Sequence, residues 1–371
     1  MRKLSPFLIA LALAGIVGIT ACAKRAEAPA PPAGATPETT AGPTEPTGPC
    51  EVSLFIWSEY IDPEIVKSFE QKYTCKVTTE VYEDNESMIA KLQAGGTSQY
   101  DIVVPSGYVV PGMIHLGLLA ELRHANIPNL ANLDEKFANP AFDPGNRYTA
   151  AYQWGTVGIY LRKSQAKNTT PTWGLLFDKT KQPGAFLMMD SIREMLGSAL
   201  KYQGKSVNTT NPAEIEAAGA LLIEAKKRSQ GFEGGVGGKN KVLGKEVVAA
   251  VVYNGDAARG MTDDPDTQFF VPEEGGVIWV DSMVIPAKAP HRDWAEKFID
   301  YILDAKIGAQ LSNFNQYATP NKAAHPLIKP EDRANPAIYP TPEMMAKLEL
   351  VGDVGDASKL YDEIWTRVKS K

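Results

Sequence analysis

From Ser53 to the C-terminus, short apolar runs alternate with stripes at helical spacing, and few folds accommodate that alternation. Ser53–Trp57 is an apolar run. Asp62-Pro63-Glu64 then reads as an N-cap, a proline at the first helical position and an acid in the first turn. Ile65, Val66, Phe69 and Tyr73 form one apolar stripe of a helix. A strand near Cys75–Tyr82 follows, then a helix carrying Met88, Ile89 and Leu92, then a buried-type strand at Asp101–Val104 stopped by Pro105. Later strand-type runs are Ala151–Leu161, Ala185–Met189, Glu246–Tyr253, Gln268–Val271 and Val277–Ile285. Helical patterns cover Arg193–Tyr202, Ala213–Arg228, Asp293–Leu303, Ile307–Asn313 and Ser358–Val368. This order predicts an α/β fold with mostly parallel sheets. About 320 residues exceed what one core normally holds, so two lobes are expected.

The first fifty residues are of another kind. Arg2 and Lys3 precede thirteen apolar or glycine residues, Phe7 to Ile19. A bilayer span needs about 20, so the run fits a signal peptide, residues 1–21. It ends Ile19-Thr20-Ala21-Cys22, which resembles a bacterial lipobox; the resemblance implies cleavage before Cys22 and lipid on that cysteine. A plain secretory signal is the alternative. Residues 23–49 hold seven Pro, seven Ala and five Thr, with no aromatic or large aliphatic side chain. Such a segment cannot offset its ordering entropy by burial. Residues 22–49 are therefore expected to be a lipid-bearing cysteine and a semi-extended tether. No other apolar run reaches membrane-spanning length.

Formal net charge is −6, and removing the signal and tether charges leaves −7 on the body. An acidic balance disfavours nucleic acid and mildly favours a cationic ligand. Cys50 and Cys75 each open a strand, with one helix between. That is a βαβ unit with parallel strands. If the strands are neighbours, both cysteines lie at one sheet end. A Cys50–Cys75 disulfide is expected, two buried thiols being the alternative.

In open α/β sheets, ligands bind at the carboxyl ends of strands. The residues found there are Trp57-Ser58-Glu59-Tyr60, Pro105-Ser106-Gly107-Tyr108, Asp190-Ser191-Ile192-Arg193-Glu194 and Tyr253-Asn254-Gly255-Asp256, while Trp279-Val280-Asp281-Ser282 interrupts a strand. One tryptophan is ordinarily core and one aspartate ordinarily a cap. Five recurrences of aromatic with carboxylate point to an organic cation. An aromatic face attracts an ammonium by about 0.5–2 kcal/mol, and a carboxylate adds a charge-assisted hydrogen bond.

These stretches, with Tyr82-Glu83-Asp84-Asn85-Glu86, Tyr100–Ser106, Glu273-Glu274-Gly275-Gly276 and Thr319-Pro320-Asn321, resemble the polyamine-binding (spermidine/putrescine) solute-binding proteins of bacterial ABC importers. The resemblance runs from about Val52 to the C-terminus. It implies a two-lobed periplasmic-binding-protein fold (type II) that closes on its ligand by a hinge. Lobe 1 would be 51–153 plus 282–320, and lobe 2 would be 154–281 plus 321–371. Trp57 and Tyr60 would line one end of the cleft, and Ser58 and Glu59 would receive a terminal ammonium there. Ser106 and Tyr108 would complete that wall. Trp279 would stack on the alkyl chain, Asp281 would be the principal anion, and Glu194 and Asp256 would add carboxylates. Tyr253 stands where the family usually has Trp, and Tyr317 would be a further wall. Ser191 replaces a carboxylate of spermidine-type members and Val351 aligns loosely with a glutamine. Asp256 resembles putrescine-type members. The mixture leans to putrescine. The resemblance also implies ABC permease subunits as partners, no cofactor, a monomer, and a periplasmic or cell-surface lipoprotein.

Enzymatic alternatives have little support in the sequence. His115, His124, His291 and His325 flank no nucleophile signature, and no Gly-x-Ser-x-Gly elbow occurs. Glu59 and Asp281 would have to act as a pair for glycoside hydrolysis. Gly231–Gly238 before Lys239 fails as a phosphate loop, since Glu233 and Asn240 break the pattern. A flexible surface loop is expected instead. Asp263, Asp264 and Asp266 lack EF-hand spacing and read as a solvated loop. Another cationic solute, bound by the same fold, is the remaining alternative.

Overall fold

The computed structural model describes residues 44–371. The signal segment 1–21, Cys22 and most of the tether lie outside the described residues. In chain order the strands are β1 (Glu51–Trp57), β2 (Lys76–Tyr82), β3 (Ile102–Val103), β4 (Leu119–Ala120), β5 (Thr149–Arg162), β6 (Phe186–Met189), β7 (Phe232–Glu233), β8 (Ala249–Tyr253), β9 (Thr267–Phe270), β10 (Val277–Pro286) and β11 (Glu349–Leu350). Helices separate most of them, so the α/β reading holds.

The sheet order is β2-β1-β3-β10-β5-β8-β6-β7, with β4 and β11 beside β10 and β9 beside β5. Two lobes share this sheet, and β10 and β5 are the strands that join them. The expectation of mostly parallel pairing is corrected here. Each lobe has parallel pairs, β1 with β2 and β3, and β6 with β7 and β8. At the centre β10 runs antiparallel to β3 and β5, and β5 antiparallel to β8 and β9. The reason is topological: long strands that leave one lobe and return must run against each other. β5 is buried along all its fourteen residues and changes partners midway, from β10 through Thr156 to β8 from Val157.

The first βαβ unit is as the residues imply. Asp62 caps helix Pro63–Tyr73 by accepting from the Glu64 N–H at 2.9 Å. Ile65 and Phe69 of that helix are fully buried, and Phe69 packs edge-on to Phe298 with centroids 4.9 Å apart. β1 and β2 are parallel neighbours, and Cys50 and Cys75 form a disulfide just before them. Glu246–Val248 precede β8 rather than belonging to it, because the helix Gly235–Leu243 ends only at Gly244.

The segment Gly231–Gly238 is not a surface loop. It contains β7 and the first turns of helix Gly235–Leu243. A Cβ at Gly235 would lie 2.6 Å from the Tyr253 ring and 2.9 Å from an Asp256 oxygen. The glycine lets this helix press against the cleft. Nor are the aspartates after Met261 merely solvated. Asp264 and Asp266 flank the buried Arg162 guanidinium at 2.8 and 3.3 Å.

Candidate functional site

Side chains from both lobes close around a small cavity of about 50 Å³ between them. Trp57, Ser58, Tyr60, Glu83 and Ser106 come from the β1–β3 lobe. Glu194, Gly235, Val236, Tyr253 and Asp256 come from the other, and Trp279, Asp281 and Tyr317 complete the lining. Ser58, Glu83 and Val236 also border a wider space of about 700 Å³, so the cavity opens on that side. Four carboxylates of the wider space, Glu83, Asp84, Glu86 and Asp362, have no salt-bridge partner among the described residues, whereas Asp190 and Glu233 have one each. Burial pushes the Glu86 carboxyl up to about 7.

Asp281 owes its position to a break in β10. The register with β5 shifts between Asp281 and Ser282, a bulge of the kind that re-aims a side chain. The loop after β3 supports it: Ser106 bridges to Asp281, and the Ser282 N–H donates to the Pro105 carbonyl at 3.0 Å. Asp281 is 5% exposed. Its Oδ2 accepts from the Tyr60 hydroxyl at 2.9 Å, but its Oδ1 is buried with no hydrogen-bond partner. A buried carboxylate oxygen without a donor is costly. Burial, with Glu194 adding repulsion, pushes the Asp281 carboxyl up to about 7 against the opposing influence of the nearby Ser106 and Tyr60 hydroxyls. Glu194, 3% exposed, is also raised by burial, although Ser191 donates to it.

An aromatic box surrounds this end. Trp279 meets Tyr317, Tyr253 and Tyr60 edge to face, with centroids 5.2, 5.6 and 6.4 Å apart. Tyr60 and Tyr317 stand at 86° to each other. Two glycines make the room. A Cβ on Gly155 would lie 2.6 Å from the Trp279 ring, and one on Gly255 would lie 2.5 Å from the Tyr317 ring. Asn254 ties the helix Asn254–Asp263 to β5 by accepting from the Thr156 N–H at 2.9 Å.

Glu59, off the cavity, is already paired. Glu59 has φ of 51°, a left-handed conformation uncommon for a side-chain-bearing residue. Its carboxylate meets Lys239 Nζ at 3.2 Å and Arg259 Nη2 at 3.1 Å, both from the other lobe. Partial burial pushes Glu59 up, but the two cations outweigh it and hold the carboxyl below its usual range. Arg259 also reaches Asp256 at 2.5 Å. Burial raises Asp256, while Arg259 and Lys239 oppose it.

Of the residues expected from sequence, Trp57, Ser58, Tyr60, Ser106, Glu194, Tyr253, Asp256, Trp279, Asp281 and Tyr317 come together on the cavity. Glu59 and Tyr108 do not line it. Glu59 points to Lys239 and Arg259, and Tyr108 lies beneath Arg193, whose guanidinium is 5.3 Å from its ring. Glu83, Gly235 and Val236 line it without having been singled out. Glu83 sits in Tyr82-Glu83-Asp84, directly after a strand, the same signal that marks Ser58 and Ser106. Val351 is buried and borders neither space. Among the described residues no group of acidic, His or Cys side chains is arranged to hold a metal ion. No described helix is long and apolar enough to cross a membrane.

Residues 64–341 match a family of bacterial extracellular solute-binding proteins. The chain is 34% identical over 318 residues to the spermidine/putrescine-binding periplasmic protein of Salmonella typhimurium, covering 85% of this chain and 91% of that one. It is 32% identical over 342 residues to a putrescine/cadaverine-binding protein of Pseudomonas aeruginosa, covering 89% and 96%. Its fold superposes on a crystal structure of a Treponema pallidum lipoprotein with a TM-score of 0.76 and 29% identity, covering 86% and 100%.

Proposed function

The chain belongs to the bacterial extracellular solute-binding protein family, and we propose that within it the chain captures a polyamine, putrescine or spermidine, for an ABC importer. One observation carries the reading: a buried carboxylate oxygen of Asp281 with no donor, inside a box of aromatic faces. An ammonium supplies the missing donor and relieves the repulsion between Asp281 and Glu194. Trp279, Tyr253 and Tyr317 then shield the methylene chain from water. Relatives that cover most of the chain are named for spermidine, putrescine or cadaverine.

Lobe 1 comprises 51–153 and 282–320, and lobe 2 comprises 154–281 and 321–371, hinged where β5 and β10 cross. The empty protein opens there. A bound polyamine bridges the lobes, and the closed form docks on the permease. The chain itself performs no catalysis. It acts as a monomer outside the cytoplasmic membrane, held by lipid on Cys22 through the Pro/Ala/Thr tether, and the lipoprotein among its structural neighbours supports that anchor.

The test is a thermal-shift screen of the purified protein, stripped of copurified ligand, against putrescine, spermidine, cadaverine, basic amino acids and sugars. A ligand at about 1,000 times its dissociation constant adds about 4 kcal/mol, or a melting rise of several degrees. A shift with a polyamine and none with sugars is expected. No shift with any polyamine overturns the function.

A further inference from the structure

Asp281 has a neighbour in the same condition. Gln153 of β5 stands directly opposite it in the ladder with β10, and Tyr152 is the residue that the bulge leaves over. Gln153 is fully buried, and neither its amide oxygen nor its amide nitrogen has a hydrogen-bond partner. Opposed residues share a face, with Cβ atoms about 4.5–5.5 Å apart. The adjoining pair, Val280 and Trp154, lines a separate space together with Ile278 and Ala151, as alternation along the strands requires. Gln153 therefore lies on the Asp281 side of the sheet, without lining the cavity itself. Its strand is fixed there, since the Trp154 N–H donates to the Ala318 carbonyl at 3.0 Å and the Tyr152 hydroxyl to the Tyr60 carbonyl at 2.8 Å. A buried amide that uses none of its donors or acceptors is costly. The two unpartnered groups are complementary, because an amide accepts through its oxygen and donates through its nitrogen.

Resting on the polyamine reading, we propose that Gln153 is the positioning residue of the anchoring carboxylate. Its amide oxygen accepts from Asp281 Oδ1 while that oxygen carries a proton. When an ammonium arrives, the proton leaves for the buffer, and the amide N–H donates to the same oxygen. Rotation of one side chain thus serves both states. A bond to a charged acceptor is worth more than one between neutral groups, so the amide favours the ionised form and eases the loss of the proton. The titratable groups that face Asp281 are Tyr60, Tyr82, Tyr152, Tyr253 and Glu194. Burial pushes the four phenols well above their ordinary range, so they stay neutral, and Glu194 repels. Beyond the hydroxyls of Tyr60 and Ser106, Gln153 is the polar group placed to offset the burial of that charge.

The experiment is calorimetric titration of the purified protein with putrescine, for the native chain and Gln153→Met, across a range of pH. Loss of the amide is expected to raise the carboxyl by about one unit from its value of about 7. Gln153→Met should then weaken binding by about fivefold to tenfold at about pH 6.5 and by less than about twofold at about pH 9.5, where Asp281 is ionised in either protein. At about pH 8 the variant should release about half a proton per ligand, against about a tenth for the native chain. A side chain that only packs would weaken binding by the same factor at every pH. A uniform loss, or an unchanged profile with unchanged proton release, overturns the role of Gln153 while leaving the polyamine reading in place. If Gln153→Met does not fold, Gln153→Asn, whose amide falls one methylene short, is read by the same split between low and high pH, and a uniform or absent loss overturns the role there. Failure of the native protein to bind putrescine or spermidine at any pH is a different result; it removes the polyamine reading itself and the role of Gln153 with it.

Discussion

A carboxylate on the cavity wall and one off it stand in opposite electrostatic states. On the wall, Asp281 keeps a buried oxygen without a donor, and its carboxyl is pushed up to about 7. Off it, Glu59 is held below its usual range by Lys239 and Arg259. The first carboxylate is left with an unsatisfied oxygen, and the second is satisfied already. Counting acids in a sequence therefore does not count binding groups. What matters is which acids the fold leaves without a partner, and burial without a partner marks a functional position.

The largest effect that can break this contrast is expected at the unsatisfied carboxylate. Asp281→Ala should weaken polyamine binding by about a hundredfold, as truncating one side of a buried charged pair does, read by calorimetry. Asp281→Asn should lose binding too, yet raise the melting temperature of the empty protein at about pH 8, because it removes an ionised group that burial disfavours. Trp279→Ala should follow with about a tenfold to thirtyfold loss, the worth of a desolvated cation–aromatic contact.

Next comes pH. The folded Asp281 carboxyl, at about 7, lies above the ordinary unfolded value of about 3.9. The folded empty protein therefore holds an extra proton between those values. Its stabilising contribution is present at low pH and is lost as pH rises through about 7. A bound cation favours the ionised form, so affinity should rise with pH and level off above about 7. At about pH 6 the dissociation constant should be weaker by about tenfold; a flat profile would place the anchoring charge elsewhere. The smallest effect sharpens the boundary of the site. Tyr108→Phe, beneath Arg193 and off the cavity, should change affinity by less than about twofold.

Much of the site was legible because it follows strand ends. Trp57, Ser58, Tyr60, Ser106 and Tyr253 occupy the positions where an α/β sheet presents its ligand. The disulfide was legible from one βαβ unit. Three features were not. The bulge between Asp281 and Ser282 depends on the loop after β3, some 175 residues away. The capture of Glu59 by Lys239 and Arg259 joins residues 180 and 200 positions apart, a distance at which local pattern says nothing. The Gly-rich run reads as a loop in sequence because glycine marks both loose loops and tight contacts, and only the proximity of Tyr253 and Asp256 distinguishes them. The central antiparallel pairs escaped for a similar reason: alternation of elements gives their order, whereas the direction of β5 against β10 follows from how the lobes are joined.

The central claim is that a buried, proton-holding carboxylate at Asp281 waits for an amine. Calorimetric titration with putrescine at about pH 6.5, in two buffers of different protonation enthalpy, tests it most directly. Binding that releases about one proton per ligand, with the release vanishing at about pH 9, is the predicted result. Binding with no proton release at either pH would contradict it, since the carboxylate would then have been ionised and partnered before the ligand came.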